Sequence, residues 1–186
     1  MQKQNAIIIT AGYLDSSNGK TAHGLIRGTD RFTIMAVIDD KHAGKDAGEV
    51  LDGKKRNIPV YESIEAFLKS GKQATYCIVG VATKGGVIPT SLRVMLKEAL
   101  QQNFNLVNGL HEYISDISEL ADLAKVKNLE IIDVRMPKKF KDLHFWSGKI
   151  KEAKCLKIAV LESEWLCAYP RHNRFLTQQF LNTLLL

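Results

Sequence analysis

Residues Ala6–Arg27, AIIITAGYLDSSNGKTAHGLIR, decide the fold class of this chain. A β-branched run from Ile7 to Thr10 gives way to a polar loop between Gly12 and Gly19, and helix-compatible residues follow. This order predicts a strand, a turn and a helix. In open α/β sheets such a turn lies at the carboxyl end of a strand, where backbone N–H groups and the helix N-terminus hold anions. The sequence therefore predicts a ligand site in loop residues 12–21.

The glycine spacing in this loop resembles two known phosphate-binding patterns without matching either. A P-loop has four residues between its glycines before Lys-Ser/Thr, whereas six separate Gly12 from Gly19-Lys20-Thr21. The dinucleotide pattern Gly-x-Gly-x-x-Gly is also missing. We predict Gly12, Gly19, Lys20 and Thr21 as cofactor-binding residues. An ordinary solvated loop that happens to contain Lys-Thr accounts for the same residues equally well.

Length and composition bound the function classes. The 186 residues allow one domain, or one domain and part of a second, and 45% hydrophobic with 25% charged residues is typical of a soluble globular protein. We expect a cytoplasmic protein without membrane spans, since apolar runs are short and the N-terminus lacks a signal-peptide pattern. The net charge of +6 comes from scattered lysines and arginines, so no nucleic-acid track is expected. Neither cysteine nor histidine spacing predicts a metal site.

A second strand pattern runs from Phe32 and ends in two carboxylates, Asp39 and Asp40. Its nearly continuous apolar character suits a strand that is covered on both faces. Rossmann-like folds place a ribose hydroxyl acceptor at the end of the second strand, about 20 residues after the first loop. We therefore predict Asp39 as a cofactor-binding residue. An aspartate that caps the next turn remains an equal alternative.

The strongest central strand pattern, Tyr76–Ala82, is followed by a second glycine-rich turn. Ala82, Gly85 and Gly86 in this turn are predicted to bind a cofactor, because two glycine loops after parallel strands face each other at a topological switch point. The alternation of strands and helices predicts an α/β fold, a Rossmann-like and mostly parallel sheet with helices on both faces.

Shorter signals fix three further elements. Pro59 confines its strand to a sheet edge or a strand start, and Ser63 is a typical N-cap for the next helix. The run Asp116–Glu119 predicts a carboxylate variant of the capping box.

His111 follows a strand end in a turn that contains glycine. A structural hydrogen bond and contact with a ligand are equally compatible with this position.

Taken together, these motifs resemble a known family. The motifs that carry the resemblance occur in a fixed order along the chain. They are Gly12-Tyr13 followed by Gly19-Lys20-Thr21-Ala-His-Gly-Leu-Ile-Arg27, Val79-Gly-Val-Ala82 followed by Gly85-Gly86 and Pro89, Asn108-Gly-Leu-His111, and Asp133-Val-Arg-Met-Pro137. The set resembles the DgcN-type D-glutamate N-acetyltransferases, long catalogued as a domain of unknown function. The resemblance covers roughly residues 6–161. It implies a Rossmann-like N-terminal domain and a P-loop-like C-terminal domain, acetyl-CoA as donor and D-glutamate as acceptor. Asn108, His111 and Arg135 are then expected to bind substrate.

The resemblance breaks after Leu156–Leu161, which reads as the first strand of the second domain. Family members carry a glycine-rich loop with Gly-Lys-Arg-Thr-Thr there, whereas this chain has Glu162–Arg174, without any glycine. Codons for Arg-Thr-Thr-Ala read one base out of frame can yield His-Asn-Arg, as at residues 172–174. We therefore expect a Rossmann-like domain over 1–150, and over 151–186 a frame-shifted and truncated remnant of a P-loop-like domain.

We expect this chain to be the N-terminal part of an acetyltransferase. We expect this part to be inactive by itself. Two alternatives remain open at this stage. One is a stand-alone nucleotide- or anion-binding module, and the other is an NAD-dependent oxidoreductase or epimerase, which the imperfect glycine pattern disfavours. The expected partner is a small molecule rather than nucleic acid or a membrane. A homo-oligomer is left open.

Overall fold

The computed structural model describes residues 3–138 and 140–143 together with the single residues 149, 152 and 154. Strands and helices alternate along the described chain. The strands are β1 (Gln4–Ile9), β2 (Phe32–Ile38), β3 (Val60–Tyr61), β4 (Tyr76–Val79), β5 (Asn105–Asn108) and β6 (Ile131–Asp133). The helices are α1 (Lys20–Arg27), α2 (Ala47–Asp52), α3 (Ile64–Lys69), α4 (Thr90–Gln101) and α5 (Ser118–Val126).

The strands form one parallel sheet in the order β3-β2-β1-β4-β5-β6. The chain moves outward from β1 to β3, returns to pair β4 with β1, and then continues in the other direction. Loops that follow β1 and β4 therefore diverge at the carboxyl edge of the sheet. This is the strand order and the switch point of a Rossmann-like fold, and it confirms the predicted fold class.

Strand β1 lies at the centre because both of its faces are apolar. Ala6, Ile7, Ile8 and Ile9 have no exposed surface. Ile7 and Ile9 pack in the core that includes residues of α3, α4 and α5, whereas Ala6 and Ile8 pack in the core that includes residues of α1 and α2. Successive side chains of a strand point to opposite faces, so this split shows that helices cover both faces of the sheet.

The local signals gave mixed results. Pro59 directly precedes β3, which is an edge strand, and Ser63 Oγ accepts a hydrogen bond of 3.1 Å from the backbone N–H of Ala66, so both predictions are confirmed. The capping box predicted at Asp116–Glu119 is wrong. Residues Ile114–Asp116 form a 3-10 turn, and α5 begins at Ser118 without a side-chain cap. Asp116 therefore belongs to the 3-10 turn that precedes α5 and does not cap the helix.

The chain divides into two compact units, Met1–Lys139 and Phe140–Leu186. The first unit contains the whole parallel sheet. In the second unit, the described residues include a 3-10 turn over Phe140–Asp142. The predicted P-loop-like remnant, including residues 162–174, lies outside the described residues apart from the isolated positions 152 and 154.

Candidate functional site

The loop after β1 has a fixed backbone path to α1. Ala11 and Gly12 both have positive φ, 48° and 81°, and a 3-10 turn over Ser17–Gly19 leads directly into α1. Gly19 is buried, and a β-carbon there would lie 2.5 Å from the carbonyl oxygen of Tyr13. The loop is therefore packed so tightly on itself that residue 19 must be glycine. Lys20 and Thr21 follow as the first residues of α1.

The carboxylate of Asp39 binds the backbone of this loop through hydrogen bonds. Its Oδ2 accepts hydrogen bonds from Thr10 Oγ1 at 2.6 Å and from the backbone N–H groups of Gly12 at 3.0 Å and Leu14 at 3.1 Å. Its Oδ1 accepts one from the backbone N–H of His42 at 3.2 Å and lies 2.8 Å from His42 Nδ1. The side chain has no exposed surface. The structure thus uses the carboxylate that was predicted to bind ribose as an internal support of the β1 loop.

The loop after β4 contains two glycines with left-handed backbone, Gly85 at φ 70° and Gly86 at φ 68°. A β-carbon on Gly86 would lie 2.5 Å from Cδ2 of His111 and 2.8 Å from its Cβ. The carbonyl oxygen of Gly86 also accepts a hydrogen bond of 2.9 Å from the N–H of Glu112. The glycine turn and the turn after β5 are therefore in direct contact, and His111 lies where they meet.

Asn108 has a structural role at the end of β5. It is fully buried, and its Nδ2 donates to the carbonyl oxygen of Glu112 at 2.8 Å and to Asp133 Oδ1 at 2.7 Å. Its Oδ1 accepts from the N–H of Leu110 at 2.9 Å. These bonds shape the turn that presents His111. The polar atoms of this side chain are thus bonded to neighbouring residues, and substrate binding by Asn108 stays a prediction.

A cavity of about 360 Å³ lies at the carboxyl edge of the sheet beside these turns. Seven of the eleven predicted site residues line it: Lys20, Thr21, Ala82, Gly85, Gly86, His111 and Arg135. The other four, Gly12, Gly19, Asp39 and Asn108, do not line it. Ligand binding by the lining residues stays a prediction.

The sequence interpretation missed four lining residues, Val81, Thr83, Gly109 and Leu110. Gly109 and Leu110 stand between two predicted site residues, so the motif around His111 was the available signal. Gly109 contributes through its backbone, because its carbonyl oxygen accepts a hydrogen bond of 2.7 Å from Nε of Arg135. This bond fixes the base of the guanidinium group at the rim of the cavity.

The electrostatic character of this cavity is cationic. Lys20 and Arg135 contribute positive charge, and no aspartate or glutamate is among the described residues that line it. The N-terminal end of α1 adds the partial positive charge of its backbone N–H groups. A cavity of this kind favours carboxylate or phosphate groups. Within the described part of the chain, no cluster of His, Cys, Asp and Glu is placed to hold a metal ion.

A second cavity, of about 470 Å³, lies against the same β4 loop. It shares Val81, Ala82 and Thr83 with the cationic cavity and extends toward Tyr13 and Leu92. The shared segment is held by a hydrogen bond of 2.6 Å from the N–H of Ala82 to the carbonyl oxygen of Asn18. Both cavities are therefore built around the two loops that diverge from β1 and β4.

A family model for a domain of unknown function, DUF1611_N, described as a Rossmann-like domain, matches residues 40–137. The chain belongs to this family. A crystal structure of a DUF1611 family protein from Anabaena variabilis ATCC 29413 superimposes with a TM-score of 0.71 at 34% identity. The match covers 82% of this chain and 43% of that protein. The shared fold therefore spans less than half of the crystallised relative.

Two curated relatives of the DUF1611_N chain carry the name D-glutamate N-acetyltransferase. The protein from Pseudoalteromonas sp is 32% identical and the one from Tritonibacter scottomollicae is 37% identical, each over 60 residues. These matches cover 32% of this chain and 18% of each relative. Among the described residues, no helix is both long enough and apolar enough to cross a membrane.

Proposed function

We propose that this chain is the N-terminal, acceptor-binding part of an N-acetyltransferase that moves an acetyl group from acetyl-CoA to D-glutamate. Membership of the DUF1611_N family and the names of the two curated relatives support this activity. The matched region is a minor part of those relatives and less than half of the crystallised family member. We therefore assign this chain a binding role and propose that it does not catalyse the transfer by itself.

The observation that carries the proposal is the cationic cavity between Lys20 and Arg135. D-Glutamate has two carboxylates, and ammonium and guanidinium groups are the side chains that bind carboxylates most strongly. A cavity of about 360 Å³ accommodates an amino acid of this size. With the carboxylates at Lys20 and Arg135, the amino group of the acceptor would lie within the part of the cavity lined by His111.

The chemistry assigns His111 a consistent place in this arrangement. In the transfer, the amine nitrogen attacks the thioester carbonyl carbon, the C–S bond breaks, and CoA leaves as a thiol. The ammonium form of D-glutamate loses two protons, one of which ends on sulfur, and the other must be taken up by a base. Imidazole takes up protons at physiological pH, and His111 lies exposed in the cavity. We propose His111 as the group that accepts this second proton.

The oxidoreductase alternative is not favoured by the site. It rested on the Rossmann-like strand order and on Asp39 as the acceptor for a ribose hydroxyl. That carboxylate is enclosed by five polar contacts. An anion-binding module without chemistry remains a second candidate, because the Lys20–Arg135 cavity also suits a phosphate group. Competition between D-glutamate and inorganic phosphate separates the two candidates.

The direct test is titration calorimetry of the chain 1–186 with D-glutamate, L-glutamate and inorganic phosphate. We expect saturable binding of D-glutamate, in preference to the other two ligands. Lys20→Ala and Arg135→Ala should each weaken it about tenfold or more, since a charge-assisted hydrogen bond contributes about 1.5–3 kcal/mol. Lys54→Ala, a change of equal charge at an exposed residue outside the cavity, should leave affinity unchanged. Preference for phosphate, or equal effects of all three variants, would contradict the assignment.

A further inference from the structure

The second cavity combines apolar walls with an almost complete lack of charge. Tyr13, Val87 and Leu92 line it, and Asn18 and Ser91 add an amide and a hydroxyl. Lys84 is the one charged side chain among the described lining residues. Pockets that bind small molecules are typically apolar, with a few polar groups that fix orientation. The lining therefore suits an uncharged chain that carries amide groups better than it suits a carboxylate or a phosphate.

Two exposed apolar side chains meet at this cavity. Seven large apolar side chains are exposed among the described residues, and two of them, Tyr13 at 49% and Val87 at 53%, line it. Tyr13 comes from the loop after β1, and Val87 comes from the loop after β4. Their exposed surfaces thus face a space at the switch point, where open α/β sheets bind ligands. A ligand in this space would remove that apolar surface from water.

The position of the cavity relative to the cationic one supports a joint use. Val81, Ala82 and Thr83 line both cavities, so the two cavities are neighbours along this short segment. The segment is held in place by the bond from the Ala82 N–H to Asn18 and by Thr83 Oγ1, which donates to the carbonyl oxygen of Val87. A transfer reaction needs its two reactants at adjacent positions, with the reacting atoms about 3–3.5 Å apart.

We propose that this second cavity, lined by Tyr13, Val87 and Leu92, binds the pantetheine arm of the acyl donor. This inference rests on the proposed acetyl transfer and assigns a place to the second substrate. The arm is uncharged, contains two amides and ends in the sulfur that carries the acyl group, which matches a partly apolar lining with Lys84 as its one charged side chain among the described residues. The acyl carbon would then reach the acceptor amine past Ala82 and Thr83. The amine nitrogen forms the new C–N bond, the C–S bond breaks, and the thiol keeps the electron pair and one proton.

The test uses pantetheine, which lacks both phosphates and the nucleotide, with the chain 1–186. We expect binding with a Kd of roughly 0.1–1 mM, as is usual for an uncharged ligand of this size. Val87→Asp should raise Kd about tenfold or more, because it places a carboxylate against an uncharged ligand. Val94→Asp is the matched control, since Val94 is 63% exposed on α4 and does not line the cavity. Lys54→Ala, at an exposed residue that lines neither cavity, should leave pantetheine affinity unchanged.

Ser91→Phe gives an independent check, because it fills the cavity from an exposed position without adding charge. It should abolish pantetheine binding and leave D-glutamate binding intact. Lys20→Ala should have the opposite effect. Absence of pantetheine binding at millimolar concentration, or equal loss in Val87→Asp and Val94→Asp, would overturn the assignment. Pantetheine binding without D-glutamate binding would contradict the proposed acceptor and leave this subsite standing, whereas the reverse result would remove the subsite alone.

Discussion

The side chain of His111 occupies the space that a β-carbon on Gly86 would need. That carbon would lie 2.5 Å from Cδ2 and 2.8 Å from Cβ of His111, closer than real contacts allow. Because the nearer atoms include the histidine Cβ, a rotation of the ring alone does not remove the overlap. The position of the imidazole in the cationic cavity thus depends on a glycine in a different loop.

Gly86→Ala is expected to destabilise the protein and to displace His111. The positive φ of 68° adds strain to the steric overlap, and together they should lower the free energy of unfolding by about 2–4 kcal/mol. Gly71→Ala is the matched control, because Gly71 has a φ of 75° but open space around it. Urea unfolding of both variants should show the larger loss for Gly86→Ala. Equal losses would mean that backbone strain alone explains the effect and that His111 is not in contact.

Asp39→Asn is expected to act on stability before it acts on any ligand. The amide group would bring a donor into a site where Thr10 Oγ1, the N–H groups of Gly12 and Leu14, and His42 already surround the carboxylate. Leaving buried donors without an acceptor costs about 1–3 kcal/mol, and more when a charge is lost. We expect urea unfolding to show a loss of about 2–4 kcal/mol.

The neighbouring Asp40→Asn serves as the control for this charge change. Asp40 is exposed, and a surface substitution usually changes stability by less than about 0.5 kcal/mol. If Asp39→Asn unfolded like the native chain and yet lost affinity for a ribose-containing ligand such as NAD, the result would support the predicted ligand-binding role of Asp39. A stability loss without any NAD binding in either protein supports the structural role.

Asp46 should make the stability of the protein dependent on pH in the acid range. Partial burial raises the pKa of Asp46, but hydrogen bonds from the N–H groups of Arg56, Glu49, Ile58 and Gly48 outweigh it, so the pKa lies below its ordinary value of 3.8. A depressed pKa in the folded state contributes stability above the unfolded pKa, and this contribution is lost as pH falls through the folded value. The difference between native and Asp46→Asn proteins should therefore be largest near neutral pH.

At pH 7 we expect Asp46→Asn to lower the free energy of unfolding by about 1–3 kcal/mol, because Oδ1 accepts three of these bonds and Oδ2 the fourth. Denaturant titrations between pH 7 and 2.5 measure the difference, which should shrink below roughly pH 4. Asp122→Asn changes the same charge at an exposed site and should give a difference near zero throughout. A difference for Asp46→Asn that does not change with pH would contradict the charge-based explanation.

The sequence determined the fold better than it determined the site, for physical reasons. Ile7 to Ile9 and the apolar run before Asp39 specify buried parallel strands, because few other arrangements cover both of their faces. Loop positions such as Lys20 and Gly86 were predictable as members of glycine-rich turns at strand ends. Their convergence with Arg135 in one cavity was not predictable from sequence spacing. Arg135 follows the edge strand β6, and β5 lies between β6 and β4 in the sheet.

Asp39 and Asn108, both predicted as site residues, have buried side chains for the same reason. Both residues stand at the carboxyl end of a strand, which is the edge of an open α/β sheet where ligands bind. Both are turned inward, where backbone N–H groups of the adjacent loops need acceptors and Asn108 also donates to Asp133. A sequence shows that a polar group stands at a strand end. It does not show whether the loop backbone or a ligand satisfies its hydrogen bonds.

The last prediction is that the chain 1–186 does not acetylate D-glutamate at a useful rate. The resemblance places a glycine-rich phosphate loop after Leu161, and this chain has Glu162, Glu164 and Pro170 in that stretch. Carboxylates repel phosphate, and proline lacks the N–H group that such a loop donates. Binding of pantetheine and D-glutamate by the first unit would survive this change. Productive alignment of the full donor, acetyl-CoA, would be lost. Alignment of the reactants can account for about 7–11 kcal/mol of a reaction barrier.

The measurement is release of free thiol from acetyl-CoA by purified 1–186, with and without D-glutamate. We expect no D-glutamate-dependent release above the non-enzymatic background. Lys20→Ala provides the internal control, because any slow release that depends on the proposed acceptor cavity should disappear in this variant. D-glutamate-dependent release at an ordinary enzymatic rate, about 1 per second or faster, would show that the first unit carries the catalytic machinery by itself. Release that persists in Lys20→Ala would instead locate the acceptor outside the cavity that Lys20 and Arg135 form.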